Sequence, residues 1–174
     1  MTSHLANYSA FEGLRDGSRI EIRALRPDDR ADFVAAVGQV SAMSLYRRFF
    51  GPKRAFSEKE VAFFTDVDFA TQVALIAVTE EGGRPLIIGG GRYVLVKPGQ
   101  AEIAFVVVDA HQGRGIGACL LRHLAAIARD AGLTELMAEV LAENTGMLKV
   151  FEKSGLRCQM QRHGGSVHVV LHLS

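Results

Sequence analysis

"AEIAFVVVDAHQGRGIGACLLRHL", residues 101–124, changes its periodicity half-way along. Residues 101–109 form a short apolar run rich in β-branched side chains, bounded like a strand. From Ile116 onward, Leu120, Leu124, Ile127 and Ala131 recur at helical spacing and keep one apolar face until Gly132. Between the two lie Gly113, Gly115 and Gly117 on alternate positions. Glycine inside regular structure costs about 0.5–1 kcal/mol relative to alanine, so three together need a reason. A strand, a glycine turn and a helix start make an anion site. The first helical amides have no intrahelical partner, and the helix dipole adds partial positive charge. Arg114 adds a fixed cation. A diphosphate is the natural guest.

Two phosphate-binding patterns overlap in this turn. Gly113-x-Gly115-x-x-Ala118 fits the dinucleotide fingerprint, with Glu139 near the expected downstream distance. That fingerprint should follow the first strand of a βαβ series directly. Here Ala110-His111-Gln112 intervene, and the chain ends in a hairpin pattern rather than further βα units. The absence of G-K-[ST] excludes a P-loop. The other pattern is Gln112-x-x-Gly115-x-Gly117.

The surrounding chain reads as one mixed α/β domain. Residues 19–25 alternate as a strand, and Pro27 with two aspartates opens a first helix. Residues 41–50 give a second helix, and Ser57 with Glu60 at capping-box spacing a third. Residues 73–80 and 86–96 flank a Gly-Gly turn as a hairpin. After the glycine-turn helix come a strand at 135–141, a helix capped by Asn144 and ended by Gly155, and two closing strands.

The 174 residues are 48% hydrophobic and 22% charged with net charge +1, an ordinary globular balance. No basic cluster exceeds Arg47-Arg48, which argues against a nucleic-acid or membrane-surface partner. The first residues lack the basic start and apolar run of a signal peptide, so a cytoplasmic location is expected. Cys119 and Cys158 read as small core residues in a reducing compartment. His168 and His172 share a strand face but lie about 13 Å apart, too far to chelate one metal.

The Gln112-x-x-Gly115-x-Gly117 turn resembles the acetyl-CoA motif of the GNAT N-acetyltransferase superfamily. "AEIAFVVVDAHQGRGIG" is similar to that family's fourth strand and turn. "AENTGMLKVFEKSGL" is similar to its asparagine-containing helix, with Asn144, Phe151, Gly155 and Leu156 at the family spacings. Residues 40–61 and 64–78, with Asn144-x-x-Met147-Leu148, resemble the acetyltransferase domain of bacterial protein lysine acetyltransferases.

Residues 1–18 carry no period and read as an irregular arm, and the resemblance implies an acetyltransferase domain over 19–174. Its fold class would be α/β (mixed α+β). The central, mostly antiparallel sheet would have six to seven strands flanked by helices, with the fourth and fifth strands splayed. It implies acetyl-CoA as co-substrate, no metal, and an amine acceptor, foremost a protein lysine. Gln112, Gly113, Arg114, Gly115, Ile116, Gly117 and Ala118 would hold the pyrophosphate. Backbone groups of Val106, Val107 and Val108 would pair with the pantetheine arm, one amide polarising the thioester carbonyl. Asn144 would bond the pantetheine, unless its role is helix capping, with Met147 beside it in the same site.

A lysine amine, with a pKa of about 10.4, must lose a proton before it attacks a thioester. Glu102 is the candidate general base, at the family's glutamate position. Flanked by Ala101, Ile103, Ala104 and Phe105, its carboxylate is expected to be desolvated and so a stronger proton acceptor. The alternative is a strand-edge glutamate facing water. Phe151 stands where many superfamily members have the tyrosine that protonates the departing thiolate, which leaves the general acid unassigned. Tyr46 is a substitute donor or a packing residue, and Tyr46, Phe49, Phe50, Phe63 and Phe64 could line an acceptor groove or form a core or lid cluster. A small-molecule amine acceptor and a non-catalytic acyl-CoA-binding module remain as rival readings.

Overall fold

A computed structural model describes residues 5–37 and 67–173 of the chain. The predicted second and third helices, with Tyr46, Phe49, Phe50, Phe63 and Phe64, lie outside the described residues. Among the described residues the strands are β1 (Ser9–Gly13), β2 (Arg19–Ala24), β3 (Gln72–Glu81), β4 (Arg84–Lys97), β5 (Gln100–Val107), β6 (Glu135–Leu141), β7 (Arg157–His163) and β8 (Ser166–His172). The helices are α1 (Arg30–Val37), α2 (Ile116–Asp130) and α3 (Thr145–Glu152). The strands form one sheet in the order β1-β2-β3-β4-β5-β6-β8-β7, antiparallel except for β5 against β6. No helix among the described residues is long and apolar enough to cross a membrane.

The sheet has eight strands, one or two more than the sequence implied. The addition is β1, which lies in the stretch read as an irregular arm. It pairs antiparallel with β2 from Ser9↔Arg23 to Gly13↔Arg19. None of its five residues is fully buried, so it carries no apolar period for a sequence reading to find. Cross-strand contacts fix it instead, among them the Arg19 guanidinium 4.4 Å above the Phe11 ring.

The central strands alternate as a sheet with covered faces must. On β5, Ala101, Ile103 and Phe105 are buried against α2, while Glu102 faces the other way and is exposed. Ile116, Leu120, Leu124 and Ile127 of α2 enter the main core as expected, and each such side chain contributes about 1.5–3 kcal/mol by burial. Ala131 does not. It caps the helix C-terminus and is exposed, because the helix closes one residue earlier than its apolar stripe suggested.

The triple glycine of β4 has a packing cause. A Cβ on Gly91 would sit 2.6 Å from Phe105 Cδ1 and 3.0 Å from Leu124 Cδ1, so the space belongs to those side chains. Between Ala77↔Gly89 and Val78↔Ile87 the β3–β4 register shifts by one residue, a bulge that leaves Ile88 without a direct partner. A second, smaller core on the opposite face joins Leu25, Ala74, Ile76, Val78 and Ile87.

Candidate active site

β5 and β6 part company almost at once. Their parallel ladder holds only from Gln100↔Glu135 to Glu102↔Met137, although β5 runs on to Val107 and β6 to Leu141. The splay expected between the fourth and fifth strands of the sequence reading is therefore present. Beyond Glu102 a cavity of about 690 Å³ opens between the two strands, floored by the start of α2 and walled by α3.

Backbone alternation decides which groups of β5 face that opening. The Val108 N–H donates to the Ile88 carbonyl at 2.8 Å, so Val108 and, two residues back, Val106 direct their backbone groups at β4. Val107, Phe105 and Ile103 direct theirs at the cavity. Two of the three valines expected to offer backbone groups thus spend them inside the sheet. The Val107 carbonyl accepts from the Gln112 side-chain amide at 3.1 Å, which braces the end of the strand. The Val106 and Val107 residues line the cavity, whereas Val108 is buried behind it.

The turn leads from Val108 through a single 3-10 turn, Asp109–His111, to the N-terminus of α2. Gly113 and Gly115 have φ of +78° and +87°, a left-handed backbone that a side chain would strain. Both glycines are thus needed by the turn itself, before any ligand is considered. Gly117 lies in the first helical turn, where an added Cβ would touch Val150 at 3.8 Å, an ordinary contact. The first intrahelical bond runs from the Cys119 N–H to the Gly115 carbonyl. The amides of Ile116, Gly117 and Ala118 therefore have no helical acceptor, and all three residues line the cavity.

Arg114 departs from its expected place. Its Nε donates to Asp16 Oδ2 at 2.9 Å, and its guanidinium also bonds Ser18 Oγ and His111 Nδ1. It clasps the β1–β2 hairpin and does not line the cavity. Asp16 is held at a pKa of about 2, first by the Ser18 hydroxyl, then by the Ser18 amide and Arg114. Among the cations that do line the cavity, with Arg122, Arg129, Lys149 and Lys153, is Arg15, beside Asp16 at the hairpin tip. Composition and spacing gave no sign of it, since only the pairing of β1 with β2 brings it there.

Asn144 caps α3, its side chain accepting from the Met147 N–H at 3.3 Å; both residues also line the cavity. Phe151 is 1% exposed and packs on Phe105 with ring centroids 6.1 Å apart. Glu102 stands at the last rung before the splay but is exposed and is not part of the cavity wall. The burial expected from its apolar neighbours is absent, because Ala101 and Ile103 point to the opposite face. On Glu102's face, β6 adds Glu135 and Glu139. Glu139 pairs with His168, and Glu135 accepts from Gln100 Nε2 at 2.7 Å. His172 bonds Gln159 Oε1 and His123 joins Tyr8 to Glu12, whereas His111 lines the cavity.

Comparison with known proteins agrees with this geometry. The family model described as an acetyltransferase (GNAT) domain matches residues 19–157. An acetyltransferase of Pseudomonas aeruginosa is 31% identical over 137 residues, 78% of this chain and 74% of that protein. The acetyltransferase Pat of Mycolicibacterium smegmatis is 32% identical over 147 residues, 82% of this chain but 42% of that longer protein. The crystal structure of the GNAT domain of S. lividans PAT superposes with a TM-score of 0.85 at 38% identity, covering 94% of this chain and 96% of that one.

Proposed function

The chain belongs to the GNAT acetyltransferase family, and we propose that it moves an acetyl group from acetyl-CoA to a lysine side chain of a protein, with Glu102 as general base. The observation that carries this reading is the splay of β5 from β6, with the N-terminus of α2 at its open end, just past Val107. A thioester arm laid along β5 meets the backbone groups of Ile103, Phe105 and Val107. Its diphosphate then falls on the amides of Ile116, Gly117 and Ala118. Along β5 the cleft is lined by Ile103, Ala104, Phe105, Val106 and Val107, an apolar wall that suits a pantetheine.

The reaction follows from where the strands part. A neutral amine attacks the thioester carbonyl carbon, and its developing oxyanion takes a hydrogen bond from a cavity-facing β5 amide. Glu102 accepts the proton that the nitrogen gives up. Collapse of the tetrahedral intermediate forms the amide and expels the thiolate. Phe151 has no proton to donate, so the thiolate is protonated from water. A thiol pKa not far above the free cysteine value of about 8.5 makes that undemanding.

The lysine reading draws support from charge. Glu102, Glu135 and Glu139 share one face of the splayed strands, and a cationic side chain approaching that face is attracted rather than repelled. Exposure of Glu102 suits a base that must meet an acceptor arriving from solvent. The likeness to Pat and to the PAT domain points the same way.

The test follows labelled acetyl from acetyl-CoA into a bacterial lysate, comparing the wild type with Glu102→Gln. Label in the protein fraction that falls roughly 10²–10⁴-fold in the variant is expected for a lost general base. Label confined to the small-molecule fraction would move the acceptor to a metabolite amine. Equal labelling by the two proteins would remove Glu102 from the mechanism. Bound acetyl-CoA with no transfer to either fraction would favour an acyl-CoA-binding module.

A further inference from the structure

We infer that Arg15, at the tip of the β1–β2 hairpin, is a phosphate-binding residue of the acyl-CoA site, held in place by a clasp between Asp16, Ser18 and Arg114. The inference rests on the acetyl-CoA reading above and adds to it the residue that supplies the cation.

The glycine turn offers backbone amides, but its own arginine is committed elsewhere. Arg114 spends its guanidinium on Asp16, Ser18 and His111. A diphosphate on the α2 N-terminus would therefore lack its own turn's cation, and of the other arginines lining the cavity Arg122 is paired with Glu12 and Arg129 with the Leu173 carbonyl. Arg15 fills that role from a remote part of the chain. It lines the same cavity as Gly113 and Gly115, follows directly on the Asp16 that Arg114 holds, and is exposed. No described residue holds it in a hydrogen bond or ion pair, so its five donors are available to an incoming anion.

The hairpin tip fixes the backbone from which that side chain projects. The Gly17 N–H donates to the Leu14 carbonyl at 3.0 Å and the Leu14 N–H to the Ser18 carbonyl at 2.8 Å, which closes a tight turn over Arg15 and Asp16. Gly17 takes φ +87°, as such a turn requires. Leu14 is anchored in the core, and Asp16 is tied to Arg114 beside the first turn of α2. Farther along the same helix, Glu12 accepts from Arg122 at 2.9 Å and bonds His123 at 2.5 Å. Arg114 and Asp16 are thus positioning residues: they fix the hairpin against α2, and Arg15 makes the contact.

The experiment is calorimetric titration of the whole protein with acetyl-CoA and with 3′-dephospho-CoA, for wild type, Arg15→Ala, Arg15→Lys and Asp16→Asn. Arg84→Ala, at an exposed arginine that opens β4 and is not part of the cavity wall, controls for loss of one positive charge. We expect Arg15→Ala to weaken acetyl-CoA binding roughly tenfold, the value of one charge-assisted contact. Arg15→Lys should recover part of that affinity, and Asp16→Asn should weaken it less than Arg15→Ala. The same ordering should appear in KM for acetyl-CoA, and added salt should shrink the difference. A loss equal for both ligands assigns the contact to the diphosphate, and a loss confined to acetyl-CoA assigns it to the 3′-phosphate; both support the inference. Arg15→Ala binding no worse than Arg84→Ala, with the wild type binding normally, overturns it and leaves the donor reading intact. A wild type that binds neither ligand overturns the donor reading and this inference with it.

Discussion

Asp16 and Arg114 lie 98 residues apart in sequence, yet carboxylate and guanidinium meet at 2.9 Å beside the start of α2. The contact joins the edge hairpin of the sheet to the turn that the sequence marks as an anion site. It also redirects the arginine of that turn from ligand to scaffold.

If Arg114 acts through Arg15, their substitutions must not add. Arg15→Ala is expected to raise KM for acetyl-CoA roughly tenfold and Arg114→Ala by less, with the double variant close to Arg15→Ala alone. Initial-rate kinetics on the four proteins of the cycle measure this. Multiplying losses would mean that Arg114 reaches the phosphate itself.

Gly91→Ala tests the packing of β4. The new Cβ has Phe105 Cδ1 at 2.6 Å and Leu124 Cδ1 at 3.0 Å, so a buried side chain must shift to admit it. Overpacking of this kind destabilises by about 1–3 kcal/mol. Urea denaturation should register it as a lower midpoint at unchanged slope. Because Phe105 also lines the cavity, acetyl-CoA binding should weaken in step.

Asn144 serves α3 through its carbonyl oxygen, which leaves its amide nitrogen for a ligand. Asn144→Asp keeps the acceptor and should retain stability, whereas Asn144→Ala should lose about 1 kcal/mol with the cap. A rise in KM for acetyl-CoA in both variants is expected if the nitrogen touches the pantetheine. Unchanged KM in Asn144→Asp would make capping its whole role.

Asp29 ties the end of β2 to the start of α1. Arg23 reaches it through two bonds of 2.8 and 2.9 Å, and the Arg26 amide through one of 2.7 Å. Burial alone would raise its pKa, but the Arg23 bonds and then the Arg26 amide outweigh burial and lower it below the usual 3.8. A lowered folded-state pKa gives stability that is complete above 3.8 and is lost as pH falls through the folded value. Asp29→Asn should lose roughly 1–3 kcal/mol near neutral pH, as one partner of a largely buried bidentate pair goes missing. Thermal melts from pH 7 to pH 3 should show the difference from wild type narrowing at the acid end.

Sequence by itself determined the elements that depend on local pattern. The glycine turn, the apolar face of α2, the strands with a buried face and the cap of α3 were legible because each leaves a period or a marker residue in its own stretch of chain. The family followed from the same stretches. Tertiary structure decided the rest. β1 buries no face fully, so its existence rests on pairing with β2. Glu102 is exposed because alternation turns it away from the apolar neighbours that surround it in sequence. Val106 and Val108 give their backbone groups to β4 because that edge of β5 is occupied and the other is open. Arg114 and Arg15 exchange roles because long-range pairing, which no local pattern encodes, brings Asp16 to one and the cavity to the other.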